Sequence, residues 1–299
     1  MVPVPPTIVC AVDGSPESGQ LARISARLAE VLEADLECVH VLAGQPATAD
    51  VTAAVAAAGR SLPDDSVDGE QAEAHGMLDG ICDAAGAELA TRRVIRYGDP
   101  ARRIAAVAEQ RGADLIVVGT RGDSAAPDAV LGSVSSRLAA DAPCPVLVIP
   151  PHLAPGVRPE RWLDRTVVCG LDGSEPAWSA ARHAAALAGR LGGSLMLVSV
   201  GSGPAASDHD VARRLQAGAA RGLERDKPLE VRRDVRGGDP AWELERVASA
   251  ATAPLIAIGS RGLGPFHDGL LGTVARRVLR AARRPILVFP ATSMPGLGA

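Results

Sequence analysis

Short runs of β-branched and aliphatic residues alternate along this chain with longer stretches in which Ala, Leu and Arg recur at helical spacing. The short runs lie near residues 7–12, 36–42, 92–97, 114–119 and 145–149, and again near 165–171, 194–200, 229–236, 254–259 and 285–289. Their length and composition predict strands, and the segments between them predict helices. The runs read as apolar on both faces, as a parallel sheet covered by helices requires. Two helix starts are marked by a capping acid ahead of a proline, Asp99-Pro100 and Asp239-Pro240. Proline costs little at the first helical position, because the N–H it lacks has no partner there. The predicted fold is α/β: two doubly wound sandwiches, each with a five-stranded parallel sheet of order 3-2-1-4-5, Rossmann-like.

The two sets of strands are copies of one another. Thr7-Ile-Val-Cys-Ala-Val-Asp13-Gly14-Ser15 returns as Thr166-Val-Val-Cys-Gly-Leu-Asp172-Gly173-Ser174, 159 residues later. Gly98-Asp99-Pro100-Ala101 returns as Gly238-Asp239-Pro240-Ala241, 140 residues later, and Pro145-Val-Leu-Val-Ile-Pro150 returns as Pro285-Ile-Leu-Val-Phe-Pro290 at the same offset. The first copy therefore carries extra residues between its second and third strands. The Ala-, Pro-, Asp- and Gly-rich stretch from Gly44 to Gly69 is expected to hold them as a loop. The expected domains are residues 1–150 and 165–292, with 151–164 as linker and 293–299 as tail.

With 299 residues, each copy is long enough to bury its own core. Lys227 is the only lysine, and Pro follows it, so a Walker A phosphate loop is excluded. A net charge of −4 and 2% aromatic residues give neither a basic footprint nor stacking platforms for nucleic acid. The five cysteines form no C-x-x-C pair and are expected to be buried free thiols in a reducing compartment. No apolar run is long enough to span a membrane. The N-terminal Met1-Val-Pro-Val-Pro-Pro has no signal-peptide character, so a cytoplasmic protein is expected.

Candidate chemistry lies in a second repeated pattern. Gly119-x2-Gly122-x9-Gly132-Ser133 recurs as Gly259-x2-Gly262-x9-Gly272-Thr273, from the end of the fourth strand to the start of a helix. Glycines admit positive φ and close approach of a ligand to the backbone. Unpaired N–H groups at a helix start suit phosphate, and Ser133 and Thr273 add a hydroxyl there. In a 3-2-1-4-5 sheet, strands 1 and 4 flank the switch point, where ligands bind beyond the strand ends. Asp13 and the Gly119 loop then face one crevice, and Asp172 and the Gly259 loop another.

On these motifs the chain resembles a tandem universal stress protein, over roughly residues 5–150 and 164–291. The resemblance implies a HUP-type fold and, in the ATP-binding branch, one ATP site per domain, with Mg2+. It implies that the glycine loop holds triphosphate and ribose, with Ser133, Val134, Thr273 and Val274 at the phosphate end. Asp13 and Asp172, with the backbone at Val41 and Val200, would contact adenine. It also implies that 145–149 and 285–289 pair as an antiparallel seam, and it leaves room for a homodimer and an unknown regulatory partner.

Asp123 and Asp128 in the first loop lie near the expected polyanion, so the first site is expected to bind ATP more weakly than the second. Gly262-Leu-Gly264 fails as a dinucleotide fingerprint because His267 takes the third glycine position. His209 between Asp208 and Asp210 reads as solvated, and Ser15 and Ser174 as helix caps. His40 and His267 lie near the sites, but no nucleophile–base–acid set assembles, so any ATP hydrolysis would be slow and the protein is not expected to be an enzyme. The leading expectation is a stress-response regulator or sensor. The alternative is a nucleotide-free scaffold of the same fold, and an adenylyl-transfer enzyme lacks its Ser-Gly-Gly-x-Asp-Ser loop.

Overall fold

The computed structural model describes residues 5–43, 65–86, 91–120, 131–154, 157, 162, 165–201, 229–262 and 270–291. The first half holds strands β1 (Thr7–Ala11), β2 (Asp35–Leu42), β3 (Thr91–Tyr97), β4 (Leu115–Gly119) and β5 (Val146–Ile149). Its helices are α1 (Ser18–Leu32), α2 (Asp65–Ala84), α3 (Pro100–Arg111) and α4 (Ser133–Asp141). The second half holds β6 (Thr166–Gly170), β7 (Ser194–Gly201), β8 (Val231–Gly237), β9 (Ile256–Gly259) and β10 (Ile286–Phe289), with α5 (Glu175–Arg190), α6 (Pro240–Ala250) and α7 (Thr273–Ala281). Every expected strand is present, its ends shifted by at most two residues.

The two sandwiches share one ten-stranded sheet of order β3-β2-β1-β4-β5-β10-β9-β6-β7-β8. Each half therefore has the 3-2-1-4-5 order. All neighbours are parallel except β5 and β10, which pair antiparallel with Leu147 opposite Leu287 and Val148 opposite Ile286. The expected seam is present, and it covers what would be an open strand edge in each half. Strand alternation sends Ile8, Cys10, Leu147 and Leu287 into one core, beneath α1 and α5. Val9, Val148 and Ile286 enter the other, beneath α3, α4, α6 and α7. Each such aliphatic side chain contributes about 1.5–3 kcal/mol by leaving water.

Two expectations need correction. First, Asp65–Gly69 is not loop but the start of α2. That helix carries Gly69, Gly76 and Gly80, each costing about 1 kcal/mol of helix propensity. It is held by a stripe at Ala74, Leu78 and Cys82 that is buried against the sheet. The remainder of the expected loop, 44–64, lies outside the described residues. Second, not every strand is apolar on both faces. Edge strands β3 and β8 carry Arg92, Arg93, Arg96, Arg232, Arg233 and Arg236, half-buried or exposed, which blunts the two outer edges. The described parts of the 151–164 linker are docked. Trp162 and Val157 are buried, and Ala154 N–H donates to the Arg283 carbonyl. The 293–299 tail, Lys227 and His209 lie outside the described residues.

Candidate functional site

Each candidate site begins in the Asp-Gly-Ser turn after the first strand of its half. Asp13 Oδ1 accepts from the Ser15 N–H and the Ser18 hydroxyl, both at 3.1 Å. Asp172 Oδ1 accepts from the Ser174 N–H at 2.9 Å and from its hydroxyl at 2.6 Å. Gly14 and Gly173 have φ of +83° and +88°, so the turn requires glycine there. Ser174 is the N-cap of α5, its hydroxyl accepting from Ala177 N–H. Ser15 is not a cap: α1 begins at Ser18 behind Glu17, with no side-chain cap bond.

The fourth strand leads into the glycine motif. Gly132 and Gly272 are the N-caps of α4 and α7, with φ of −69° and −62°. The described motif glycines, Gly119, Gly132, Gly259, Gly262 and Gly272, are absent from the positive-φ residues, so the left-handed conformation expected is not their role. Space explains them. A Cβ on Gly259 would stand 2.8 Å from the Ala177 nitrogen. One on Gly262 would stand 2.5 Å from Asp172 Oδ2, and one on Gly272 would stand 3.1 Å from the Ser260 carbonyl oxygen. These glycines let the chain pack closely on α5, on Asp172 and on the Ser260 turn. At both helix starts the cap has no side chain, and among the described residues no side-chain oxygen caps the first-turn N–H groups.

The pieces converge on two cavities. The first, of about 530 Å³, is lined by Asp13, His40, Val41, Gly119, Gly132, Ser133 and Val134. The second, of about 260 Å³, is lined by Asp172, Val200, Gly259, Gly262, Gly272, Thr273 and Val274. Every described residue expected at the sites is brought together, and each in its own half. Gly122, Asp123, Asp128 and His267 lie outside the described residues. The sequence reading missed the wall formed by the start of α3, at Pro100 and Ile104, and of α6, at Pro240 and Leu244. The repeated Gly-Asp-Pro-Ala was the signal for it. Asp99 and Asp239 cap these helices through the N–H groups of Arg102 and Trp242, and pair with Arg137 and Arg277. The Arg137 guanidinium beside Asp99 holds its carboxyl below the usual carboxylate range.

Charge differs between the cavities. Asp13 and Glu17 line the first, and Arg261 lines the second beside Asp172. The antiparallel seam turns the halves head to tail, so the carboxyl ends of their strands, and both cavities, lie at opposite ends of the sheet. All five cysteines are free and buried. Burial pushes the Cys144 and Cys169 thiols up to about 12. Among the described residues no cluster of His, Cys, Asp or Glu is placed to hold a metal ion. No described helix is long and apolar enough to cross a membrane.

Comparison with known proteins agrees with this architecture. The model of the universal stress protein family matches residues 6–150 and again 165–290. A universal stress protein of Mycobacterium tuberculosis (strain ATCC 25618 / H37Rv) is 31% identical over 94% of this chain and 96% of its own length. One from Mycolicibacterium smegmatis is 30% identical over 94% of this chain and 96% of its own length. Among solved structures, a universal stress protein from Archaeoglobus fulgidus DSM 4304 superposes with a TM-score of 0.69 at 21% identity, covering 95% of this chain and 98% of that one. A functionally unknown protein from Pseudomonas aeruginosa PAO1 superposes with a TM-score of 0.63 at 17% identity, covering 96% and 92%. The chain belongs to the universal stress protein family and carries two of its domains in tandem.

Proposed function

We propose that each half binds ATP, brought with Mg2+, and that the chain acts in the cytoplasm as a stress-response regulator or sensor rather than as a catalyst. One observation carries this reading. In each half a helix start capped only by glycine opens on the same cavity as the strand-1 aspartate. First-turn N–H groups at a helix start suit a phosphate group. Ser133 and Thr273 add hydroxyls at that end, and Val41 and Val200 offer backbone to a base at the other. The Mg2+ would come with the triphosphate, whose charge it offsets. The free thiols support a reducing compartment. His40 is bonded to the Val12 carbonyl and, among the described residues, is not paired with a nucleophile, which supports slow hydrolysis at most.

The sites are proposed to be unequal. Volume favours the first cavity and charge the second. Rotating a lining side chain off its rotamer costs about 0.5–1.5 kcal/mol. Two unit charges roughly 8 Å apart at an effective dielectric of about 20 interact by about 2 kcal/mol. For a polyanion the charge difference is the larger, so the second site is the tighter.

The test is mass spectrometry of nucleotide released by denaturing the purified chain, with thermal shift in Mg-ATP. ATP in the supernatant and a raised melting temperature are expected. Gly272→Glu should reduce binding more than Gly132→Glu, and the reverse order would overturn the inequality. No released nucleotide and no thermal shift would leave the nucleotide-free scaffold as the reading.

A further inference from the structure

A third cavity, of about 710 Å³, lies on the second half, between α6, the linker and the turn before β10. It lies away from both glycine motifs and shares no lining residue with the cavities there. Comparison with the first half, position by position, shows that it is built from departures of one copy from the other. Trp242 stands where the first copy has Arg102, and Glu245 and Arg284 stand where it has Ala105 and Cys144. Arg283 stands where it has Pro143, and Thr252 where it has Gly112.

Thr252 is the most telling of these. Both positions follow a helix end with left-handed backbone, φ +59° at Gly112 and +49° at Thr252. The surrounding turns match, with Ala113 N–H donating to Ala108 and Ala253 N–H donating to Ala248, each at 2.8 Å. Glycine is favoured at such a position and a β-branched residue is strongly disfavoured. The hydroxyl that comes with the threonine accepts from Arg165 Nη1 at 3.1 Å, at the cavity wall.

The charges can be assigned. Arg284 is buried and committed: it donates to Glu245 Oε1 at 2.7 Å and to the Ala253 carbonyl at 2.5 Å. Arg246 is paired with Glu243 at 2.7 Å and lies over the Trp242 ring, 5.5 Å from its centroid. Arg165 and Arg283 have no acidic partner among the described residues, and both line the cavity. Trp242 is 62% exposed, a large value for an aromatic ring, and its indole is already positioned by Arg246.

We propose that this cavity binds a small aromatic anion, its ring seated on Trp242 and its anionic group held by Arg165 and Arg283. Thr252 orients Arg165 for that contact and is a positioning residue. The site is independent of nucleotide binding in the two halves. Two sources share this chemistry, an aryl phosphate and an aryl carboxylate, and separate probes distinguish them.

The experiment is a titration of tryptophan fluorescence with phenyl phosphate and, separately, with benzoate. Trp162 is buried and Trp178, on α5, is half-buried against the core, so Trp242→Phe identifies the signal of the exposed indole. At least one probe should quench saturably in the millimolar range, and more tightly than inorganic phosphate binds by thermal shift. The double variant Arg165→Gln/Arg283→Gln, at one half-buried and one exposed position, should weaken that binding about tenfold or more, with the melting temperature held. Thr252→Gly should raise the melting temperature and still weaken binding. No saturable quench by either probe would overturn the proposal. So would a quench that survives the double variant, since neither arginine lines the glycine-motif cavities. Equal affinity for inorganic phosphate would overturn the aromatic class. Retention of polyglutamate without binding of either probe would overturn it in favour of an acidic protein partner.

Discussion

His40 Nδ1 lies 2.9 Å from the carbonyl oxygen of Val12. A carbonyl only accepts, so Nδ1 carries the hydrogen and donates it. In the second half the equivalent carbonyl, of Leu171, accepts from the Ser199 hydroxyl at 2.7 Å. Two different side chains thus satisfy the same group, beyond the first strand and at the wall of the cavity.

From this pairing, His40→Ser should be tolerated, because Ser199 shows that a serine on this backbone reaches its carbonyl. His40→Leu leaves the Val12 carbonyl without that donor and should cost about 1–3 kcal/mol. Urea denaturation at neutral pH measures both. Equal stability of His40→Leu and the native chain would mean that water from the cavity replaces the imidazole.

Two glycines of the second half make a matched test of close packing. Gly259→Ala brings a methyl group against backbone atoms of Pro176 and Ala177, which cannot rotate away. It should lower stability by about 1–3 kcal/mol. Gly189, inside α5, has nothing within 4 Å of its would-be Cβ. Gly189→Ala should raise stability by about 0.5–1 kcal/mol. Melting temperatures moving in opposite directions are the expected outcome; a tolerated Gly259→Ala would refute the packing role.

The depressed carboxyl of Asp99 gives a pH dependence with a definite sign. Arg137 and the Arg102 N–H favour the charged form in the folded chain. The stabilisation is therefore complete above the ordinary aspartate value of about 3.9 and is lost as pH falls through the lower folded value. Asp99→Asn should lower stability at neutral pH, and the gap to the native chain should narrow in acid. Denaturation at several pH values below 5 or so checks this; a gap that widens on acidification would contradict it.

Much of the fold could be read from the chain because a parallel strand leaves a plain mark. Runs such as Thr166–Gly170 are short, β-branched and repeated, and the Asp-Pro pairs locate two helix starts. The start of helix α2 escaped because it reads Asp-Ser-Val-Asp-Gly. Only packing on the sheet, through Leu78 and Cys82, makes it a helix. The glycine motif was legible as cavity lining, while the positive φ expected of it is not found at its described glycines. Its negative φ values and the contact of Gly262 with Asp172 depend on what approaches from another element, which spacing along one strand cannot report. The first turns of α3 and α6 were missed as cavity walls for the same reason.

The head-to-tail seam at Leu147 and Leu287 sets the valence of the molecule. The carboxyl ends of the strands point opposite ways in the two halves, so the two glycine-motif cavities open away from each other. Ligands bound as proposed would sit one at each end, with the shared sheet as the bar between them. Since the halves differ in charge and side chains at their mouths, that bar is polar in the sense of a vector. Its two ends can be told apart, and a chain of such contacts would have a direction.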